Sequence, residues 1–180
     1  MSRVRITGGQ WRSRMLNVAS ATGLRPTPDR VRETLFNWLG QQLDGWRCLD
    51  LFAGSGALGF EAASRGAAAV DMVEFNPRVF ALLKQHAQAL GADQVELVRS
   101  DALKFAASAS RPYDLVLLDP PYNQGWIGRL EPMLETLVAP DGWLYVEAEA
   151  PVDALGEFEA VRAGRAGQVC FQLLRRRGGA

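Results

Sequence analysis

The chain has 180 residues, 48% hydrophobic and 22% charged, with a mean hydropathy of −0.07, which fits one soluble globular domain with a sizeable core. No run approaches the roughly 18 apolar residues of a membrane span, and no apolar stretch opens the chain as a signal peptide would, so a cytoplasmic protein is expected. The formal net charge of zero hides a division: residues 1–32 carry seven arginines against Asp29 alone, residues 162–180 carry five arginines and no acid, and the acids crowd the middle.

Two short alternating segments flank Gly8-Gly9 in "RVRITGGQWRSRMLNV", which predicts a hairpin. In "GLRPTPDRVRETLFNWLGQQL" Thr27 reads as an N-cap and Pro28 as the first helical residue. Val31, Leu35, Trp38 and Leu39 follow at helical spacing, with Gly40 or Gly45 as terminator. From residue 47 strands and helices alternate. "RCLDLF" is a strand and "GALGFEAASRG" a helix closed by Gly66; "AAVDMVEF" is a strand. Next comes a helix capped by Asn76, with Pro77 at its first position and Gly91 at its end. "VELVRS" and "YDLVLLD" are further strands, followed by a helix around 126–138. "GWLYVEAEA" is a fifth strand, and two strands joined by a Gly-rich turn finish the chain. This order implies an α/β fold with a mostly parallel, doubly wound sheet and an antiparallel C-terminal edge strand. The expected organisation is one domain over 1–180, with an N-terminal β-hairpin and helix (1–45) preceding a catalytic core (46–180).

Ligands of such sheets bind beyond the carboxyl ends of the strands. Asp50, Glu74, Asp101 and Asp119 follow four successive strands there, pointing at one pocket. "DLFAGSGALG" carries Gly54, Gly56 and Gly59 in the G-x-G-x-x-G spacing, with Glu74 twenty residues after Gly54, as a dinucleotide site would. Asp50 opposes that reading, since its carboxylate would face a pyrophosphate. An ammonium for Asp50, a ribose for Glu74 and an adenine amine for Asp101 together describe S-adenosylmethionine.

The stretch "DLVLLDPPYNQGW" ends an apolar strand on Asp119, Pro120, Pro121 and Tyr122. A nucleobase amine is a poor nucleophile because its lone pair is delocalised. Asp119 and the Pro120 carbonyl can accept its two N–H bonds and aim the lone pair at a methyl group. The prolines fix that carbonyl in advance, and Tyr122 offers a face for an extruded base, worth about 1–3 kcal/mol. Carbon-5 pyrimidine chemistry needs a cysteine, and neither Cys48 nor Cys170 lies at such a loop. Both read as buried free thiols. With no CxxC or HExxH, and His86 as the single histidine, no metal is expected. His86 reads as a surface or boundary residue. Trp38, Trp46 and Trp143 read as core or boundary aromatics, and Trp11 and Trp126 as the better candidates for a substrate-facing loop.

"DLFAGSGALG", "VEFN", "SDA" and "LLDPPY", in this order, resemble the Rossmann-like class I S-adenosylmethionine-dependent N-methyltransferases. "RITGGQWRSRML" and "LRPTPDRVRETLFNWL" resemble more narrowly the bacterial 16S ribosomal RNA guanine-N2 methyltransferases of the RsmD type. The resemblance covers nearly the whole chain and fades in the last 30 residues. It implies donor contacts from Asp50, Gly54 and Gly56, with Phe52 beside them, from Glu74 and Phe75 at the ribose, and from Asp101 and Ala102 at the adenine. Asp119, Pro120, Pro121 and Tyr122 would be the catalytic corner, and S-adenosylhomocysteine the product. The implied partner is 16S rRNA in the small ribosomal subunit or its assembly intermediate, met by a monomer. Thr27 and the N–H groups after it would suit the donor's carboxylate, or be plain capping. Arg12, Arg14, Arg25, Arg30 and Arg32 could grip rRNA phosphates. Solvated ends would explain the arginines as well. An adenine-N6 methyltransferase on DNA or RNA is the alternative, and an RNA-docking assembly factor or a nicotinamide enzyme would be rivals from other classes.

Overall fold

The alternation of apolar residues along the strands divides the molecule into two cores, one on each face of a central sheet. In the computed structural model, which describes residues 2–19 and 27–178, Leu115 and Leu117 of the strand Tyr113–Leu118 (β6) enter one core, and Val116 and Leu118 enter the other. A strand covered by helices on both faces has to read as one continuous apolar run. The chain order up to β6 is β1 (Arg3–Arg5), β2 (Met15–Asn17), α1 (Asp29–Trp38), β3 (Arg47–Asp50), α2 (Ala57–Ser64), β4 (Ala69–Glu74), α3 (Pro77–Leu90), β5 (Val95–Arg99) and α4 (Ala102–Ser108). After β6 follow α5 (Trp126–Leu130), a 3₁₀ turn (Glu131–Met133), α6 (Leu134–Leu137), β7 (Val138–Ala148), β8 (Ala154–Leu155), β9 (Phe158–Ala166) and β10 (Val169–Arg176).

The eight-stranded sheet has the order β5-β4-β3-β6-β7-β10-β9-β8. The first five strands are parallel, and β10, β9 and β8 continue antiparallel. The C-terminal edge is therefore three antiparallel strands rather than one, with β10 inserted between β7 and β9. Helices α1, α2 and α3 cover one face through Val31, Leu35, Phe60 and Leu83, and α4, α5 and α6 cover the other through Ala106, Leu130 and Leu137. The chain reverses sheet direction between β3 and β6, where the connections leave towards opposite edges, and a crevice opens above these strands at their carboxyl ends.

α3 begins and ends as its sequence demands. The Asn76 side chain accepts from the Arg78 and Val79 amides at 2.9 and 3.2 Å, Pro77 is the first helical residue, and Gly91 closes the helix in the left-handed region. α1 starts one residue later than expected. Pro28 is its N-cap, in extended conformation, and no side chain caps it. The helix expected over 126–138 is broken into α5, a 3₁₀ turn and α6, with Pro132 within the turn. α4 was not legible from periodicity, being seven residues long. Asp101 starts it by accepting the Lys104 amide at 3.1 Å.

The N-terminal hairpin docks on α2. Glu61, fully buried in α2, accepts the Thr7 and Gly8 amides at 2.9 and 3.0 Å. Ser64 Oγ donates to the Gly8 carbonyl oxygen and accepts from the Trp11 amide. A side chain at Gly9 would stand 2.0 Å from the Ser64 carbonyl oxygen, so the close approach requires glycine. Trp11 is therefore a core residue at 4% exposure, not a substrate-facing aromatic. His86 is buried at 9% exposure, its Nε2 donating to the Asn17 carbonyl oxygen at 3.1 Å, so of its surface or boundary reading the surface half is corrected.

Candidate active site

Four strand ends deliver side chains into one cleft of about 570 Å³, within the ordinary size of a small-molecule site. Its lining includes Thr27, Phe52, Gly54, Glu74, Phe75, Asp101 and Ala102, together with the whole corner Asp119–Tyr122. Two of the expected donor contacts, Asp50 and Gly56, do not line it.

Asp50 ends β3, but its carboxylate turns under the glycine loop. Oδ2 accepts the Gly59 amide at 3.0 Å, and Oδ1 is buried without a hydrogen-bond partner. Asp50 therefore shapes the loop from below. Burial pushes its pKa up to about 7, against the opposing pull of the Gly59 amide. Gly56 precedes α2 with φ 85°, and a side chain there would press into the Phe60 ring at 2.5 Å. It serves packing. Gly59 has the same duty, since a side chain there would meet Met72 of β4 at 2.8 Å. Gly54 is the glycine whose backbone reaches the cleft, at φ 54°.

Glu74 ends β4 and holds the loop open from the other side. Its Oε1 accepts the Gly54 amide and its Oε2 the Asn76 amide, both at 2.9 Å. Those bonds fix the carboxylate plane, leaving lone pairs to accept a pair of ribose hydroxyls. Asp101 both caps α4 and faces the cleft. Phe75 is 69% exposed at the rim, and Leu51, Val73 and Ala102 form apolar walls. Acceptors at Glu74 and Asp101 on either side of an apolar slot, with the backbone of Gly54 between strand and helix, fit an adenosine-bearing ligand with a short polar tail.

The corner after β6 holds Asp119 against residues from elsewhere in the chain. The Thr27 hydroxyl stands 3.3 Å from Asp119 Oδ2 and donates to Glu147 Oε1 at 3.0 Å. The Tyr145 hydroxyl donates to the same Glu147 oxygen at 2.7 Å, so the Asp119 and Glu147 carboxyl groups meet across the Thr27 hydroxyl. Burial first, and then Glu147, holds the Asp119 carboxyl well above the usual carboxylate range, with the Thr27 hydroxyl opposing. Burial and Glu147 raise the Tyr145 hydroxyl in the same way. Thr27 thus enters the site through its hydroxyl and not as a helix cap. After the corner, Asn123 and Gly125 both take left-handed backbone conformations and turn the chain into α5. Trp126 opens that helix at the cleft, edge-on to Phe52 at 5.2 Å and under the Arg129 guanidinium at 4.4 Å.

Glu147 was missing from the sequence reading. β7 is buried on both faces, so an acid near its end carries no mark of which face it serves. Its parity with Tyr145, two residues back, is the signal that could have found it. The proposed phosphate-gripping arginines are dispersed. Arg32 is fully buried: its Nη1 donates to the Thr27 carbonyl oxygen at 2.8 Å, and its Nη2 bonds the Arg5 carbonyl oxygen and pairs with Asp29 at 2.6 Å. It is a structural cation, which withdraws it from the RNA-binding set. Arg30 is exposed on the first turn of α1, near Thr27 and Pro28. Arg12 and Arg14 are exposed at the opposite end of the layer. Arg12 lies beside Asn37 and Gly66, and Arg14 donates to the Ala89 carbonyl oxygen at the end of α3. Arg25 lies outside the described residues. No helix among the described residues is long and apolar enough to cross a membrane, and no group of three or more His, Cys, Asp or Glu is placed there to hold a metal ion.

The family model described as "Conserved hypothetical protein 95" matches residues 4–175. Ribosomal RNA small subunit methyltransferase D of Escherichia coli K12 is 41% identical, over 97% of this chain and 90% of its own length. A Bacillus subtilis protein named as a putative rRNA methyltransferase, YlbH, is 30% identical over 97% of this chain and all of its own. Among solved structures, the putative methyltransferase yhhF from Escherichia coli superposes with a TM-score of 0.87 at 41% identity, covering 97% of this chain and 98% of its own. The putative methylase HI0767 from Haemophilus influenzae superposes at 0.82 and 34% identity, covering 97% and 99%.

Proposed function

The chain belongs to the Conserved hypothetical protein 95 family, with relatives named ribosomal RNA small subunit methyltransferase D, and from that premise we propose that it transfers a methyl group from S-adenosylmethionine to the exocyclic N2 of a guanine in 16S rRNA. The observation that carries this reading is the shared cleft: the donor-type acceptors Glu74 and Asp101 and the corner Asp119–Tyr122 line the same space. S-adenosylmethionine supplies an activated methyl group on a sulfonium. Everything else is positioning by the chain's own residues.

Glu74 and Asp101 hold the donor through its ribose and adenine, and Gly54 lets the backbone come close to its amino acid end. Asp119 accepts one amine N–H of the guanine and the Pro120 carbonyl oxygen accepts the other, so the nitrogen lone pair points across the cleft. Pro120 is buried and both prolines are fixed in φ, which sets that carbonyl before the base arrives. Tyr122, Phe52 and Trp126 give the extruded base aromatic surface at the mouth. The substrate is the RNA within the small subunit or its assembly intermediate, because exposed arginines as dispersed as these suit shape and a splayed base better than a linear sequence.

The test is mass spectrometry of nucleosides from small subunits of a strain lacking the enzyme, incubated with protein and donor beside naked rRNA and genomic DNA. N2-methylguanosine gained in the particle is the expected result. Asp119→Ala should lose at least about a hundredfold in turnover, the size of a missing acid–base or orienting group, while keeping donor affinity. N6-methyladenine as the product would assign the same corner to adenine instead.

A further inference from the structure

Hydrogens in the buried cluster behind the corner can be counted. Thr27 has one hydroxyl hydrogen and two carboxyl neighbours, Glu147 Oε1 at 3.0 Å and Asp119 Oδ2 at 3.3 Å. The Tyr145 hydroxyl hydrogen is already committed to Glu147 Oε1 at 2.7 Å. Two carboxylates only accept, so two acids gathered on one hydroxyl that can donate to one of them at a time are short of a hydrogen. Glu147 is 3% exposed, so water does not supply that hydrogen freely.

Resting on the methyltransferase reading, we propose that Glu147 is the positioning residue of the reaction, sharing one proton with Asp119 and allowing the pair to take up the proton that the amine loses. Before transfer the pair carries one proton and one negative charge. The shared proton turns one Asp119 oxygen towards Glu147 and leaves the other to accept the amine N–H. As the nitrogen–methyl bond forms and the sulfur–methyl bond breaks, its electron pair passes to sulfur, giving a neutral thioether. The alkylated nitrogen then holds one proton too many. It passes to Asp119, and the pair becomes neutral with two protons until the cleft reopens to water. The groups around the pair are Thr27 ahead of α1, Arg32 in α1, Asp50 at the end of β3, Tyr122 in the corner and Tyr145 in β7. From β10 the residue opposite Glu147 is Phe171, which does not titrate.

Two substitutions move the pair in opposite directions. Glu147→Gln keeps acceptors for Tyr145 and Thr27 but removes the partner acid, so the pH midpoint of kcat should fall by a unit or more and kcat itself by about a hundredfold, with the KM for donor unchanged within twofold. Tyr145→Phe removes one donor to Glu147 and keeps both acids, so the midpoint should rise. If both variants keep the wild-type midpoint and lose activity only with their folded fraction, Glu147 is a packing residue and the inference is overturned. A second measurement needs no turnover: the infrared carbonyl band of a protonated carboxyl group at neutral pH, taken as wild type minus Glu147→Gln to set Asp50 aside. Its presence supports the shared proton; its absence overturns it. Failure of the wild type to make N2-methylguanosine, with the band present, would sink the substrate reading and leave the carboxyl pair standing.

Discussion

Asp50 shows how one side chain can sit in a binding motif and do a different job. Its carboxyl group lies beneath the glycine loop, with one oxygen on the Gly59 amide and the other buried and unpartnered. With its pKa lifted from 3.8 to about 7 by burial, it binds a proton more tightly folded than unfolded. Its contribution is thus present at low pH and is lost as the pH rises from about 4 through about 7, up to a limit of about 4 kcal/mol. Asp50→Asn keeps an acceptor for Gly59 and cannot ionise, so it should melt above wild type at about pH 8, with the gap closing towards pH 4. Thermal unfolding at both pH values checks this; equal gaps would mean the carboxyl is already ionised in the fold. The residue pattern was legible in the sequence, but the assignment of duties was not. The G-x-G-x-x-G spacing marked three close approaches correctly, yet Gly56 and Gly59 meet Phe60 and Met72, and Gly54 alone meets the cleft. Spacing records that a backbone must come near something, without recording what.

At the scale of elements, local signals settled the ends of α3, where cap, proline and glycine agree. They failed for α4, too short to show a period, and for Glu147, since a strand covered on both faces hides which face is functional. They also failed for Arg32, which reads as one more surface arginine in "RVRETL" and is fully buried. Its partners come from β1, α1 and α2: the Arg5 carbonyl oxygen, Asp29, and Glu61 at 3.7 Å. Desolvation lowers the Arg32 pKa, with Asp29 and Glu61 working against it. Glu61 in turn binds Arg65 at 2.8 Å and the two hairpin amides, so one buried acid ties the N-terminal hairpin, α1 and α2 together. Glu61→Ala takes an anion away from the buried Arg32 and from Arg65 and leaves two amides without an acceptor, and should destabilise by about 3–5 kcal/mol. Asp29→Asn, at a half-exposed position, should cost about 1 kcal/mol or less. Comparable losses in denaturant unfolding would show that Asp29 carries Arg32 as much as Glu61 does.

The charge division of the whole molecule takes on a direction once the chain is folded. β10 runs antiparallel to β7, so its C-terminal arginines emerge at the end of the sheet away from the cleft. They are used there: Arg175 lies over the Trp143 ring at 3.8 Å, Arg176 pairs with Glu157 at 3.0 Å and donates to the Glu135 and Val138 carbonyl oxygens, and Arg177 lies 3.8 Å from Glu159. The cationic C-terminus is thus largely a fastening for β7 and β9. At the other end of the chain, Arg30 sits by the cleft, whereas Arg12 and Arg14 lie a helix length away, roughly 15 Å for ten residues. RNA centred on the cleft should therefore touch Arg30 first. Each phosphate contact on a single strand contributes about 0.7 to the slope of log affinity against log salt. Arg30→Ala should remove about that much, Arg12→Ala and Arg14→Ala less than half of it, and Arg176→Ala none, lowering thermal stability instead. Binding titrations across a salt series read all four variants. Equal losses from Arg12, Arg14 and Arg30 would mean that the RNA covers the full length of α1, so that the hairpin docked by Glu61 is itself part of the substrate surface.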